Sequence, residues 1–374
     1  RGVATHVGRD ARAHRRRPAD RDEGGVFVDV SRTRRGVGAA LLAFAACSAS
    51  PADVPAFSND PLSPRQGYMT RLGVPDAWSR ASGAVVVAVL DDAVDLEHPD
   101  LRDELWTNPG EIAANGVDDD GDGHVDDVHG WNFLDDDGDV ALSPADRAAT
   151  DFGHGTSVAG IVGAETNNAV GVASCCPGCA LMILKARDFV TTGSVLPRFG
   201  AAVDYAIAHG ARVLNVSDGA LPSSVPDALA SDLEAAAARA EQAGLVIVAS
   251  AGNDGASVVR WPARIPTVLA VAAVDWDGVP TSWTSFGPEV GVAAPGVFVE
   301  TTVPDGRYDW FDGTSASAPI VSGLAAMLVS EHPDWTPSQI RARIAQTARP
   351  ASLETRPEVT GLFGAGVVDF AAAL

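Results

Sequence analysis

The stretch Ala84-Val85-Val86-Val87-Ala88-Val89-Leu90 decides the organisation of the chain. Its seven apolar residues include four valines and do not alternate with polar residues, a pattern typical of a strand that is buried on both faces. Similar runs occur at 180–186, 212–216, 245–250, 267–274 and 290–294. Strands of this kind belong to parallel sheets covered by helices, so the run predicts an α/β fold.

Helical patterns separate several of these runs. They lie at 154–164, 199–209, 226–243, 315–330 and 336–347. Strands that alternate with helices predict a three-layer architecture, in which a parallel β-sheet is flanked by helices on both faces. Sites in such sheets form at the carboxyl ends of strands. This rule directs attention to Asp91, which directly follows the first run, and to His154 and Ser315 at the starts of two helices.

Composition and charge exclude several classes of protein. The chain has 374 residues, of which 46% are hydrophobic and 20% charged, as in a globular protein with a sizeable core. Ten arginines against five acidic residues make the first 46 residues basic, which leaves the remainder with a net charge of −27. Nucleic-acid binding needs a basic surface, so no nucleic-acid partner is expected. An acidic body fits a soluble envelope or extracellular protein and attracts cations.

The N-terminal part contains a segment with the features of an export signal. Arg32, Arg34 and Arg35 precede an apolar stretch at 36–46, and Cys47 follows it. A basic region before a short apolar region is the pattern of a signal peptide, and eleven apolar residues are too few to span a bilayer. Three outcomes stay open: lipid attachment at Cys47, as in bacterial lipoproteins, cleavage near that residue, and a buried apolar helix.

Three further cysteines lie close together at Cys175, Cys176 and Cys179. An exported protein meets oxidising conditions, which favour a disulfide within this loop. Three thiols without a nearby histidine make a poor tetrahedral zinc site. We therefore expect one disulfide, with the pairing left open, in preference to a metal or redox site.

Chemistry-bearing residues lie in three short motifs. They are Asp91-Asp92-Ala93, Gly153-His154-Gly155-Thr156 and Gly313-Thr314-Ser315-Ala316. A serine hydroxyl is a weak nucleophile at neutral pH, and it needs a histidine to accept its proton and a carboxylate to orient that imidazole. The chain contains all three residue types, each at the boundary of a predicted strand or helix.

In the order Asp, His, Ser, these motifs resemble those of the subtilisin-like serine proteases. The resemblance runs from about residue 59 to residue 365. It implies that Ser315 is the nucleophile, His154 the general base and then acid, and Asp91 the carboxylate that orients the imidazole. The motif Ala251-Gly252-Asn253-Asp254 resembles the family's oxyanion segment, so Asn253 is expected to donate to the oxyanion. Peptide-bond hydrolysis through an acyl-enzyme is the implied reaction.

The resemblance also implies a substrate-binding edge. Ser217, Asp218 and Gly219 follow a predicted strand and resemble the segment whose backbone pairs with an extended peptide, while Gly252 and Asp254 flank the oxyanion position. Asp218 and Asp254 lead us to expect an acidic cleft that favours basic side chains near the scissile bond. The alternative is that both carboxylates point to solvent.

The motif around Asp91 departs from the family pattern, which is usually Asp-Thr-Gly. Here Asp92 and Ala93 follow Asp91. A second carboxylate near an imidazole favours the imidazolium form. We therefore expect Asp92 to displace the activity profile to higher pH than in an Asp92→Thr variant.

Calcium is the expected cofactor, and no organic cofactor is expected. The loop Asn167-Asn168-Ala169-Val170-Gly171-Val172 resembles the family's strong calcium loop, which implies ligands from Asn168, from the carbonyls of Thr166, Val170 and Val172, and from Asp100. A second candidate lies in an acidic insertion at about 107–147, where ten aspartates fall between 118 and 139. Its candidate ligands are Asp118, Asp120, Asp122 and Asp127. The loop lacks the final glutamate of an EF-hand, and a solvated acidic loop is the alternative.

These observations predict an exported bacterial serine endopeptidase that acts on polypeptides, either secreted or held at the cell envelope. We expect residues 1–30 to be a disordered upstream extension, 31–47 a signal, 48–65 a linker, and 66–374 the peptidase domain. The protein is expected to be a monomer that meets a membrane only through a lipid at Cys47. The alternative is a catalytically silent member of the same fold that binds peptides or acts as a surface protein.

Overall fold

The computed structural model describes residues 55–80, 85–144, 153–187 and 194–374. The predicted extension at 1–30, the predicted signal at 31–47 with Cys47, and the first part of the predicted linker lie outside the described residues. Within the described ranges, no helix is long and apolar enough to cross a membrane.

Seven strands form one parallel sheet. They are β1 (Val86–Asp91), β2 (Gly130–Asn132), β3 (Ala180–Lys185), β4 (Val213–Val216), β5 (Val246–Ser250), β6 (Leu269–Val274) and β7 (Val290–Pro295). Their spatial order is β2-β3-β1-β4-β5-β6-β7, and every neighbouring pair is parallel. Nearly all residues of these strands are buried. Six of the seven strands coincide with the apolar runs.

Eight helices accompany the sheet in the described ranges. They are α1 (Gly67–Arg71), α2 (Val74–Ala77), α3 (His154–Gly163), α4 (Phe199–Ala208), α5 (Asp227–Ala243), α6 (Thr314–Glu331), α7 (Pro337–Thr347) and α8 (Phe370–Ala373). Helices α3 and α6 pack against each other and against the sheet, whereas α4 packs against α5. The predicted three-layer α/β fold is confirmed, and the longer helices begin and end within about a residue of the predicted bounds.

The strand order creates a switch point at β1. The chain passes from β1 to β3 on one side and later returns to β4 on the other side. The loops after these strands therefore diverge, which leaves a crevice at the carboxyl end of β1. Asp91 is the last residue of that strand.

An antiparallel hairpin was not predicted from the sequence. Its strands are β8 (Val299–Val303) and β9 (Arg307–Phe311). Strand β8 lies along α3, where the hydroxyl of Thr301 donates to the carbonyl of Ser157 at 2.8 Å and that of Thr302 to the carbonyl of Thr156 at 2.7 Å. The hairpin ends at Phe311, whose ring packs edge-on against the imidazole of His154 with 5.2 Å between ring centroids.

Residues 55–65 were predicted to belong to the linker, yet they pack on the domain. Asp60 is buried, and its carboxylate accepts the N–H groups of Asn167 at 2.9 Å and Asn168 at 3.0 Å. Leu62 donates its N–H to the carbonyl of Gly171 at 2.8 Å. The linker boundary at residue 65 is therefore wrong, because these contacts to the loop after α3 hold the segment in place.

The cysteine loop contains one disulfide, between Cys176 and Cys179, whose Cα atoms are 5.6 Å apart. Cys175 remains a thiol and is fully buried. A Cβ atom added at Gly323 of α6 would lie 2.5 Å from the Cβ of Cys175. The loop is thus packed directly against the central helix α6.

Gly160 of α3 faces the hairpin closely, and Gly200 of α4 provides a comparison. A Cβ at Gly160 would lie 2.1 Å from the hydroxyl oxygen of Thr302, whereas a Cβ at Gly200 in α4 would meet nothing closer than 3.8 Å. We predict that Gly160→Ala lowers the free energy of unfolding by about 1–3 kcal/mol, because overpacking outweighs the helix propensity of alanine. Gly200→Ala is the control, and it should leave the free energy of unfolding unchanged or raise it by up to about 1 kcal/mol. Denaturant unfolding measures both, and equal effects would contradict the packing.

Candidate active site

Asp91 and His154 meet at the carboxyl end of β1. Asp91 ends the strand with 2% exposure, and His154 begins α3. Nδ1 of the imidazole lies 2.8 Å from Oδ1 and 2.9 Å from Oδ2 of Asp91. The carboxylate therefore accepts a hydrogen bond from Nδ1–H, which leaves Nε2 as the basic nitrogen of the neutral ring.

The two side chains shift each other's pKa. Burial raises the pKa of Asp91, but the nearby His154, Arg187 and the N–H of Asp92 outweigh it and hold the pKa below its ordinary value. Burial lowers the pKa of His154, but the charge and hydrogen bond of Asp91, together with the charge of Asp92, raise it above its ordinary value. The pair therefore favours a carboxylate beside an imidazole that readily becomes charged.

Asp92 is buried and caps the start of α3. Its carboxylate accepts the N–H of Ala93 at 2.7 Å, of His154 at 3.2 Å and of Gly155 at 2.6 Å. Burial, and then the charge of Asp91, raise the pKa of Asp92 to about 7. Asp92, which departs from the family's usual motif, therefore has a structural role, because it accepts N–H groups that the helix leaves unpaired.

Ser315 lies in the first turn of α6. Its hydroxyl donates to the carbonyl of Ser217 at 3.1 Å. The N–H of Ser315 is among the first four of the helix, which have no acceptor within the helix. It therefore adds a donor, and the positive end of the helix dipole, next to the hydroxyl.

A buried polar chain fixes Ser315 relative to β4. The hydroxyl of Ser322 donates to Asn215 at 2.8 Å, the amide of Asn215 to the hydroxyl of Ser217 at 3.0 Å, and that hydroxyl to the carbonyl of Ser315 at 3.0 Å. Pro319 lies inside α6 and has no N–H to give to the carbonyl of Ser315 four residues earlier. Ser217 supplies the missing donor, which explains how the helix keeps a proline at this position.

Asn253 follows β5 and lies beside the start of α6. Its carboxamide oxygen accepts the N–H of Thr314 at 3.0 Å and the hydroxyl of Thr314 at 2.8 Å. These two donors fix the orientation of the amide, because the oxygen must face them. Nδ2 is left as the donor of the amide and lies 3.4 Å from the position that a Cβ at Gly313 would take.

One cleft of about 290 Å³ unites these groups. Its wall contains His154, Arg187, Ser217, Asp218, Gly219, Ser250, Gly252, Asn253, Arg260, Phe311, Asp312, Thr314 and Ser315. The segments after β4 and β5 form its two sides. The structure thus brings His154, Ser315 and Asn253 together with the predicted substrate-binding residues at 217–219 and Gly252. Asp91 lies behind this wall, bound to Nδ1 of His154.

The prediction of an acidic cleft is wrong, because arginines balance the charges of Asp218 and Asp254. The carboxylate of Asp218 accepts the hydroxyl of Ser194 at 2.8 Å and lies 3.4 Å from Nη1 of Arg187. That of Asp254 accepts two N–H groups of Arg260, at 2.6 and 2.8 Å. Each carboxylate has its own arginine, so the cleft carries no excess of negative charge from these two residues and no preference for basic substrates follows.

Two buried carboxylates contact the first candidate calcium loop: Asp100, which was predicted, and Asp60, which was not. Asp100 is fully buried, and its carboxylate accepts the N–H of Val172 at 2.9 Å and the amide of Asn168 at 2.8 Å. Burial raises the pKa of Asp100 to about 6, and the charge of Asp60 adds to the shift. Asp60 binds the same loop. In the sequence, Asp60 stands between Asn59 and Pro61. Nothing in that pattern links it to a loop more than 100 residues away.

The acidic insertion brings only part of the predicted set together. Asp118 accepts the N–H groups of Gly121 and Gly123 at 2.7 and 2.9 Å and so caps its own loop. The oxygens of Asp120, Asp122 and Asp127 instead lie in overlapping clusters with Glu111, His124 and His209. The prediction of Asp118 beside the other three is therefore wrong, because its oxygens are directed at backbone N–H groups. Glu111 and His209 were missed because they lie outside the aspartate run.

Comparisons with known proteins agree with this geometry. The chain is 41% identical over 196 residues to a thermostable alkaline protease of Halalkalibacterium halodurans, which covers 52% of each chain. It is 37% identical to a thermophilic serine proteinase of Bacillus sp. strain AK1, over 73% of this chain and 59% of the relative. Thermitase of Thermoactinomyces vulgaris is 32% identical over 78% of this chain and 91% of its own length. The chain thus spans between half and three fifths of the length of the first two relatives.

A solved structure and a family model cover most of the domain. The prenylagaramide maturation protease PagA matches with a TM-score of 0.63 and 25% identity, over 80% of this chain and 96% of its own. The model of the subtilase family matches residues 82–366, which include the cleft and the seven-stranded sheet. The chain belongs to the subtilase family.

Proposed function

We propose that this protein is a serine endopeptidase in which Ser315 is the nucleophile, His154 the general base and acid, and Asp91 the orienting carboxylate. One observation carries the proposal. The imidazole of His154 is held through Nδ1 by the buried Asp91, in the same cleft as the hydroxyl of Ser315. Family membership supports hydrolysis of peptide bonds, and the relatives above are named as proteases.

The proposed reaction proceeds in two halves. Oγ of Ser315 attacks the scissile carbonyl carbon while its proton passes to Nε2 of His154. That proton then passes to the amine as the C–N bond breaks, which leaves an acyl-enzyme. A water molecule attacks the ester in the second half, again giving its proton to His154, and Ser315 regains a proton as the acid leaves. Asp91 stabilises the imidazolium that forms in both halves.

The oxyanion is stabilised by two donors. Nδ2 of Asn253 and the N–H of Ser315 border the place where the carbonyl oxygen becomes negative. Both are fixed before the reaction, the first by the bonds of Asn253 to Thr314 and the second by α6. Donors that need no reorganisation are the most effective stabilisers of such charge.

We propose that polypeptides bind as an added strand along 217–219, with 252–254 on the opposite side of the cleft. Export follows from the signal predicted at 31–47. Attachment of a lipid to Cys47 would hold the enzyme at the envelope, and cleavage near it would release the enzyme. The enzyme is proposed to act as a monomer.

Calcium fits the loop near Asp100. The carboxylates of Asp60 and Asp100 are nearly inaccessible to water and converge on one loop, and the pKa of Asp100 is raised by burial. A divalent cation with oxygen ligands would offset both the burial and the repulsion. The proposed ligands are Asp60, Asp100, Asn168 and the carbonyls of Thr166, Val170 and Val172. A second calcium is proposed between Asp120, Asp122 and Asp127.

The central test is covalent labelling combined with digestion. We predict that a fluorophosphonate labels folded wild-type protein at Ser315 and that casein is hydrolysed, whereas Ser315→Ala loses both by at least about a thousandfold. Ser330→Ala, at the other end of the same helix and outside the cleft wall, is the matched control and should keep the labelling. Folded wild-type protein that is neither labelled nor active would instead favour the catalytically silent peptide-binding protein.

Asp92 should control the pH dependence. Above a pH of about 7 its carboxylate is charged and holds the proton on His154, so the general base becomes available only at higher pH. We predict that Asp92→Asn moves the acid limb of the kcat/KM profile to lower pH, by up to about one unit, since one unit equals about 1.4 kcal/mol of charge interaction. Asp92→Thr should shift it in the same direction. Superimposable profiles for wild type and Asp92→Asn would contradict the effect.

Calcium should stabilise the folded domain. We predict that Ca²⁺ at a hundredfold excess over its Kd adds about 2.7 kcal/mol to the free energy of unfolding, and that Asp100→Asn removes most of this gain. Asp204→Asn, an exposed aspartate of α4 paired with Arg239, is the control and should retain the gain. The double variant Asp120→Asn/Asp122→Asn tests the second place. Thermal unfolding that is insensitive to chelator in wild type would refute a structural role for calcium.

A further inference from the structure

The side chain of Arg260 contacts both segments that form the sides of the cleft. Its Nη1 donates to the carbonyl of Gly219 at 3.1 Å, on the side formed after β4. Its Cγ and Cδ would lie 3.0 and 2.9 Å from a Cβ at Gly252, on the side formed after β5. The absence of a side chain at Gly252 makes room for this arginine, which borders the cleft itself.

Asp254 holds the guanidinium in a fixed position. Nε and Nη2 of Arg260 donate to its two carboxylate oxygens at 2.8 and 2.6 Å, which is the bidentate arrangement of a strong ion pair. The hydroxyl of Ser285 also donates to Asp254, at 3.1 Å. The hydrogen bonds from Arg260 are the main cause that keeps the pKa of Asp254 below its ordinary value, so the pair stays charged at neutral pH.

The proposed function indicates which substrate group meets this pair, and the inference rests on it. With the acyl carbon at Oγ of Ser315, the carbonyl oxygen faces Nδ2 of Asn253 and the peptide backbone runs along 217–219. The side chain of the residue that supplies this carbonyl then enters the space between Gly219 and Gly252. Arg260 lies against both glycines, since its Cβ would be 3.2 Å from a Cβ at Gly219 and its Cδ 2.9 Å from a Cβ at Gly252, and it borders the cleft.

The unused N–H groups of Arg260 indicate which substrate side chains fit this space. A guanidinium has five N–H groups, and three of them serve Gly219 and Asp254. Two remain for an acceptor. A large apolar side chain would remove water from the ion pair without replacing its hydrogen bonds, and a lysine or arginine would place like charge against Arg260.

We propose that Arg260, held by Asp254, determines the specificity of this enzyme, and that the enzyme cleaves after side chains that end in an acceptor oxygen, with glutamine preferred. Because Arg260 and Asp254 neutralise each other, the neutral amide of glutamine gains the hydrogen bonds without meeting the charge of Asp254. Glutamate gains the same bonds but is repelled by that carboxylate. Removal of the charge on Asp254 should therefore reverse this preference, so that glutamate is favoured over glutamine.

The test compares four peptides that differ only in the residue before the scissile bond: Gln, Glu, Leu and Arg. For wild type we expect kcat/KM for the glutamine peptide to exceed that for the leucine and arginine peptides by about tenfold or more, as for pockets that read a hydrogen-bonding group. Asp254→Asn should raise the Glu-to-Gln ratio by about tenfold. Arg260→Met, which keeps a long side chain without the charge, should shift the preference to leucine.

Arg264→Met is the matched control. Arg264 lies near Arg260 in sequence, but it pairs with Glu289 at 3.5 Å and stacks on Trp261 outside the cleft wall, so its loss should leave all four ratios unchanged. Fluorophosphonate labelling confirms that each variant is folded. If Arg260→Met does not fold, the Glu-to-Gln ratio of Asp254→Asn decides the question alone.

Two results separate the inference from the proposed function. Wild-type ratios retained in Arg260→Met or Asp254→Asn, with all peptides hydrolysed, would overturn the role of Arg260 and leave the endopeptidase intact. A wild type that cleaves no peptide and is not labelled at Ser315 would overturn the proposed function and the inference with it.

Discussion

The buried ion pair between Asp91 and His154 is the interaction on which the site depends. A carboxylate at 2% exposure is costly unless it is paired and hydrogen-bonded, and here Nδ1 of His154 and the N–H of Asp92 satisfy it. The sheet makes this arrangement possible, because β1 lies between β3 and β4 and ends where the chain switches direction. Ser315, in the first turn of α6, and Asn253, after β5, border the same cleft as the imidazole.

Much of the fold could be predicted because its main signal is local. Strands that are buried on both faces appear as continuous apolar runs, and six of the seven sheet strands did so. Strand β2 has three residues and no such run, and the hairpin of β8 and β9 owes its position to packing on α3 rather than to its own pattern. The predicted linker failed for the same reason, since Asp60 gains its contacts only from a distant loop.

The site shows the same division. Motifs of a few residues predicted the groups of the site: the structure places His154, Ser315 and Asn253 in the cleft wall and Asp91 against Nδ1 of His154. Charge balance was not predictable in this way. The number of aspartates is read from the sequence, but their effect depends on which cations pack beside them, Arg187 for Asp218 and Arg260 for Asp254. Cations beside both carboxylates convert an expected acidic cleft into one with paired charges.

The most direct measurement is a nitrogen NMR titration of the imidazole of His154 in wild type and in Asp91→Asn, which keeps the shape of the side chain and removes its charge. We predict that the pKa of His154 lies above the ordinary value of about 6.5 in wild type and falls by more than about one unit in the variant. An unchanged pKa in Asp91→Asn, with the domain still folded, would contradict the central role of this ion pair.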